Sequence, residues 1–168
     1  MLILGFDPGS RYTGYGVLQR RGSRITAIDQ GRLATPRGAE LPQRLAYLAN
    51  GAAELLARHA PELVAVESTF HGPNTRSLIV LAQARGVLLA ESARAGVEVR
   101  EYSPAEIKSA VTGSGRAPKQ QVARMVGVLM AVDSQSWPAD AADAMAVAIC
   151  CARRYRMEGL AAQRQPRR

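Results

Sequence analysis

The sequence predicts an α/β domain built on a mixed five-stranded sheet covered by helices. Three observations lead there. Apolar, β-forming runs at residues 2–7, 12–19 and 24–33 follow one another with only short turns between them, an arrangement that favours antiparallel pairing. Beyond them helical and extended patterns alternate, the order that makes parallel crossovers covered by helices. Acidic residues also recur where apolar segments begin or end, at Asp7, Glu67, Asp140 and Asp143. A buried carboxylate is costly unless it is paired or bound to a cation, so core packing does not ask for that pattern.

The first strand is Leu2-Ile3-Leu4-Gly5-Phe6-Asp7, stopped by Pro8, which lacks a backbone donor for the ladder. The second and third meet at the turn Arg20-Arg21-Gly22-Ser23. Gly14 and Gly16 interrupt the second strand, and two readings fit them: bulge or twist positions, or close backbone approach to a ligand. Leu41, Leu45, Leu48, Ala52 and Leu55 recur at helical spacing up to Ala60-Pro61. Leu63 to Glu67 is then a short β-branched strand. Ser68 to Asn74 reads as a loop, followed by a helix over 75–95 and a strand over 97–102. Ser103-Pro104 is a helix entry, because Ser caps and Pro fits the first turn. Thr112-Gly113-Ser114-Gly115-Arg116 interrupts that helix. Pro118 opens the next, and Pro138 precedes a last long helix. Past Glu158 the composition turns to Gly, Ala, Gln, Pro and Arg, so the expected organisation is one domain over 1–158 and a basic, disordered tail over 159–168.

Composition narrows the class. A chain of 168 residues with 47% hydrophobic content supports one domain with a real core. The net charge of +8 favours an anionic partner, and 20 of the 22 basic residues are Arg, whose planar fork suits phosphate. Cys150 and Cys151 are adjacent, with only His59 and His71 elsewhere, so neither a zinc site nor a disulfide framework is expected. They read as buried small hydrophobes in a reducing compartment. No apolar run reaches transmembrane length and the start lacks a signal-peptide pattern, so the expected location is the cytoplasm, with no membrane partner.

The four acids carry the chemistry. Asp140 and Asp143 lie three apart on a helix, on neighbouring parts of one face and near its positive end. Alone, that pair is an ordinary acidic first turn, and Asp7 alone is a turn residue. Together with Glu67 they form a cluster suited to two hard divalent cations held about 3.5 to 4 Å apart, the arrangement used for phosphodiester hydrolysis.

At these residues the chain resembles the RuvC family of bacterial Holliday junction resolvases. The likeness runs in order and spacing from Leu2 to about Arg156. It comprises Gly5-Phe6-Asp7-Pro8-Gly9-Ser10-Arg11 with Thr13-Gly14-Tyr15-Gly16, Val66-Glu67 with Phe70, Gln83-Ala84-Arg85-Gly86, Lys108, Gly115 with Lys119, and Asp140-Ala141-Ala142-Asp143-Ala144. The resemblance implies an RNase H-like fold and a metal-dependent crossover junction endodeoxyribonuclease of DNA recombination and repair. Such an enzyme is a homodimer that binds a four-way DNA junction and makes paired symmetric nicks. It implies two Mg2+ per site, with Mn2+ a substitute, and partnership with the RuvA and RuvB branch-migration proteins. Asp7, Glu67, Asp140 and Asp143 fall on the family's catalytic, metal-holding positions. Some members carry histidine at the third, where Asp140 supplies a harder ligand. Phe70 falls on the aromatic residue that stacks on junction bases, and Lys108 and Lys119 match positions linked to the DNA backbone. Arg76 and Arg116, in or beside the polar loops, are further candidates for phosphate contact. The helix over 75–95 is the expected dimer contact.

Three rival readings remain open on the residues. An RNA-directed nuclease of the same fold shares the metal chemistry. An actin-like ATPase fits Asp7 and Thr13-Gly14 but needs a second lobe that this chain has no room for. A basic DNA-binding module leaves the four acids unexplained.

Overall fold

The computed structural model describes residues 1–68, 75–133 and 136–164, with side chains described up to residue 155. The elements follow the predicted order: β1 (Leu2–Asp7), β2 (Tyr12–Arg21), β3 (Arg24–Ala34), α1 (Leu41–His59), β4 (Leu63–Glu67), α2 (Thr75–Arg94), β5 (Glu98–Tyr102), α3 (Pro104–Thr112), α4 (Lys119–Met130) and α5 (Ala139–Arg164). The sheet order is β3-β2-β1-β4-β5. β1 pairs antiparallel with β2 and β2 with β3, whereas β4 lies parallel to both β1 and β5. This is the RNase H-like arrangement of a mixed five-stranded sheet flanked by helices. None of the helices, over the described residues, is long and apolar enough to cross a membrane.

The period-2 alternation of the strands divides the core in two. Leu4, Phe6, Val17, Val64 and Val66 face α1 and α2, packing on Leu48, Leu55, Leu56, Ala84 and Leu88. Ile3, Leu18, Leu63 and Ala65 face the other way, against α3, α4 and the Ala-rich face of α5. Cys150 and Cys151 are both fully buried in that second layer as free thiols. α3 begins as its sequence requires, with Ser103 accepting from the Glu106 amide and Glu106 bonding back to Ser103. The helix stops at Gly113, whose φ of 84° is left-handed. α5 continues to Arg164, beyond the expected domain end at residue 158.

Gly14 and Gly16 are not bulge residues, and what approaches their backbone is α5. The register of β1 and β2 places Asp7 beside Gly14, Gly5 beside Gly16 and Ile3 beside Leu18, all on the α5 face. A Cβ on Gly14 would lie 1.9 Å from the Asp140 carbonyl oxygen, one on Gly16 2.8 Å from the Met145 Cα, and one on Gly5 2.3 Å from the Ala144 carbonyl oxygen. These three glycines form the bed on which α5 lies. The bulge sits elsewhere, where the β2–β3 register shifts between Val17 and Leu18 so that Ile28 has no partner in the ladder.

Candidate active site

Alternation also decides where the acids point. Asp7 follows Ile3 and Gly5 on the α5 side of β1, and Glu67 follows Leu63 and Ala65 on the same side of β4. Because Phe6 is paired with Val66, the two carboxylates are the next neighbours at the ends of adjacent parallel strands. α5 crosses above them on its glycine bed and brings down Asp143. Asp7, Glu67 and Asp143 thus line one cavity of about 310 Å³, whose other walls include Pro104, Ile107 and Val122, with Lys108 from α3 and Lys119 from α4. The Lys119 ammonium lies 2.5 Å from an Asp143 carboxylate oxygen.

Asp140 stands one turn earlier on α5. It does not line that cavity, and one of its carboxylate oxygens lies 3.9 Å from the Arg32 guanidinium. Its charge still acts on Asp7. The loop after Asp7 is pinned by buried Thr13, whose hydroxyl donates to the Gly9 carbonyl at 2.6 Å. Among the other expected site residues, Arg76 in the first turn of α2 and Arg116 before α4 are exposed, and neither lines the carboxylate cavity. Phe70 lies outside the described residues.

Crowding of like charge in a desolvated place has the expected electrostatic result. Burial, followed by the charges of Asp143, Glu67 and Asp140, pushes Asp7 from 3.8 to about 8, against the pull of Lys119. Burial and Asp143 also raise Glu67, opposed by both lysines and by a hydrogen bond with Asp7. The hydrogen bond to Asp143 holds Lys119 above its usual range. Between about pH 4 and 8 the folded, metal-free protein therefore binds a proton at Asp7 that the unfolded chain releases, so this contribution to stability is full below pH 4 and lost as pH rises through 8. In EDTA, Asp7→Asn is expected to raise the melting temperature at pH 8 by roughly 3 to 10 °C and to change it little at pH 4.5. Parallel melting curves of parent and variant against pH check this, and an unchanged gap across the range would refute it.

Arg32 is a neighbour of the site that the sequence does not reveal. It lies opposite Gly14, which lies opposite Asp7, so a single row crosses the sheet from Arg32 through Gly14 and Asp7 toward Glu67. The guanidinium stacks 4.6 Å above the Tyr12 ring. Counting back from the hairpin turn would put Gly31 in that row. The extra residue at Ile28 slips the strand by one and turns Arg32 onto this face.

Comparison with known proteins agrees with this architecture. The family description "Crossover junction endodeoxyribonuclease RuvC" matches residues 3–151. The crossover junction endodeoxyribonuclease RuvC of Rubrobacter xylanophilus is 44% identical over 166 residues, covering 99% of this chain and 93% of that protein. The solved Thermus thermophilus RuvC superposes with a TM-score of 0.85 at 30% identity, covering 94% of this chain and 97% of its own. In complex with Holliday junction substrate, the same protein matches with a TM-score of 0.88 at 31% identity, over 94% of this chain and 96% of that one. A family match across nearly the whole sheet and its helices, and relatives covered almost end to end, establish that the chain belongs to the RuvC family of crossover junction endodeoxyribonucleases.

Proposed function

We propose that this chain resolves four-way DNA junctions by paired, symmetric nicks, with Asp7, Glu67, Asp140 and Asp143 as its catalytic, metal-holding residues. The observation that supports this best is the meeting of Asp7, Glu67 and Asp143 with Lys108 and Lys119 around one cavity. The donor set fits a hard divalent cation. The carboxylates are oxygen donors, and burial followed by neighbouring negative charge disfavours the ionised forms of Asp7 and Glu67, a cost that a cation relieves. Among the described residues no three such side chains close around a single point, and Lys119 supplies the positive charge at Asp143. We assign two Mg2+ per site, with Mn2+ as a substitute. When bound there, Mg2+ makes a water nucleophilic and neutralises the leaving oxygen.

The chain's own residues do the rest. Asp7 and Glu67 are fixed by the register of β1 against β4, and Asp143 by the seating of α5. Lys108 and Lys119 flank the cavity where backbone phosphates would enter, and they position rather than specify. Arg76 and Arg116 are exposed candidates for further phosphate contact. Phe70 would stack on a base opened at the branch point, which single-turnover nicking by Phe70→Ala reads directly.

Two equivalent nicks call for two equivalent sites, hence a C2 homodimer in which α2 is the proposed contact. A monomer mass by sedimentation, free and on the junction, would remove that assignment. Residues 1–158 form the nuclease domain, 159–168 a basic tail, RuvA and RuvB are the branch-migration partners, and the cytoplasm is the compartment. The function is tested by metal-dependent nicking of a mobile four-way junction beside duplex DNA and structured RNA. Paired nicks confined to the junction are expected. Equal or preferential cleavage of structured RNA would transfer the protein to the RNA-directed class.

A further inference from the structure

On the β3 side of the carboxylates, away from Lys108 and Lys119, lies a second concavity of about 460 Å³. Its walls carry Arg11, Arg37 and Arg44, with Tyr12 and Thr35, and among the described residues no Asp or Glu lines it. Three guanidinium groups around one hollow repel one another unless an anion joins them. The backbone segments that carry Arg11 and Arg37 are tied together, and the Arg44 side chain is anchored beside them. The Thr35 amide donates to the Arg11 carbonyl at 3.0 Å and the Thr35 hydroxyl to the Ser10 carbonyl at 3.3 Å, tying the loop after Asp7 to the end of β3. Arg44 reaches over from α1 and donates to the Ser10 hydroxyl at 3.5 Å. Its Nε is shielded from solvent and has no partner among the described residues.

A series of contacts leads from the hollow to the acidic residues. Tyr12 forms one of its walls, Arg32 stacks on Tyr12, and Arg32 faces Asp140. A strand leaving the carboxylates toward β3 therefore meets Arg32 and, beyond Tyr12, the arginine hollow. The planar forks of Arg match phosphate oxygens in pairs, which suits a polyanion better than a single carboxylate ligand.

We propose that Arg11, Arg37 and Arg44 form a backbone-phosphate site for an arm of the DNA substrate, on the opposite side of the scissile position from Lys108 and Lys119. This rests on the reading of the protein as a DNA nuclease. It makes the footprint two-sided: one group of cations on α3 and α4, and another where β2, β3 and α1 meet.

The test is the salt dependence of DNA binding by the full chain in metal-free buffer, where cleavage is silent, on a four-way junction and on duplex DNA in parallel. Removing one cation from a phosphate lowers the slope of log K against log salt by about 0.9, so Arg11→Gln/Arg37→Gln should lower it by nearly two and weaken binding by roughly tenfold at moderate salt. Arg37→Gln alone, a change at an exposed loop position, should give half the effect without touching the loop after Asp7. Arg37→Lys, which keeps the charge, should restore the slope. Parent slopes in both Gln variants, or a fall in Arg37→Lys equal to that in Arg37→Gln, would overturn the site. Preference of the parent for junction over duplex is read separately in the same titrations. Its absence counts against junction resolution, while a reduced slope on duplex still supports the phosphate site.

Discussion

Asp7→Asn is expected to lower the single-turnover rate of junction nicking by about 10³-fold or more while leaving junction affinity within a few-fold of the parent. The side chain is isosteric, and it sits at the end of a strand whose backbone is held by β2 on one side and β4 on the other, so the scaffold is not disturbed. What changes is charge. Asp7 is the carboxylate pushed furthest, first by burial and then by the charges of Asp143, Glu67 and Asp140. Removing it costs a cation ligand where charge develops in the transition state, roughly 4 kcal/mol if a tenfold rate corresponds to about 1.4 kcal/mol. The lysines and arginines proposed to meet phosphates remain, so most of the affinity is kept. Glu67→Gln and Asp143→Asn should behave alike. Asp140→Asn should lose less, since Asp140 stands outside the cavity and is partly engaged by Arg32. Rate and affinity are measured over a metal titration, which separates weakened cation binding from a lost chemical step. Nicking by Asp7→Asn at the parent rate at saturating metal would defeat the assignment.

Much of this architecture is legible in the residues because local rules and the final fold agree. The order of the ten elements follows from periodicity and from the stops at Pro8, Pro61, Gly113 and Pro138, and the strand over Leu63–Glu67 has the predicted bounds. That Asp7 and Glu67 face one way also follows from alternation, once β1 and β4 are known to be neighbours. Other features need distances that no local pattern holds. The sequence shows Gly14 and Gly16 as places of close approach but not what approaches, and α5 comes from more than 120 residues away along the chain. Arg32 is hidden by one residue outside the ladder, Ile28, which reverses every side chain beyond it in β3. Arg11, Arg37 and Arg44 come from three separate segments, so their meeting is a property of the tertiary fold alone.

The glycine bed yields the second large effect. Gly14→Ala adds one methyl group, yet its Cβ would lie 1.9 Å from the Asp140 carbonyl oxygen and 2.4 Å from the carbonyl carbon, both backbone atoms that cannot rotate aside. Either β2 or the start of α5 must shift by about 1 Å or more to restore normal contact. Overpacking of this kind costs roughly 1 to 3 kcal/mol, a fall in melting temperature of about 3 to 10 °C for a chain of this size. The larger consequence is catalytic. The shifted segment carries Asp140 and Asp143, and a displacement near 1 Å at a reacting centre costs on the order of 10²-fold in rate. Gly16→Ala, whose Cβ would meet Met145 Cα and N at 2.8 Å, presses on α5 two residues past Asp143 but overlaps its backbone far less deeply than Gly14→Ala does. It should destabilise less and cut the rate less. Glu54→Ala, at an exposed position of α1, serves as the control and is expected to keep both stability and rate. Melting temperature and single-turnover nicking, measured on the three variants under identical metal, separate seating of the acids from general stability. If Gly14→Ala and Gly16→Ala lost rate only in proportion to their stability, the glycine bed would be packing alone and not the device that sets the carboxylate geometry.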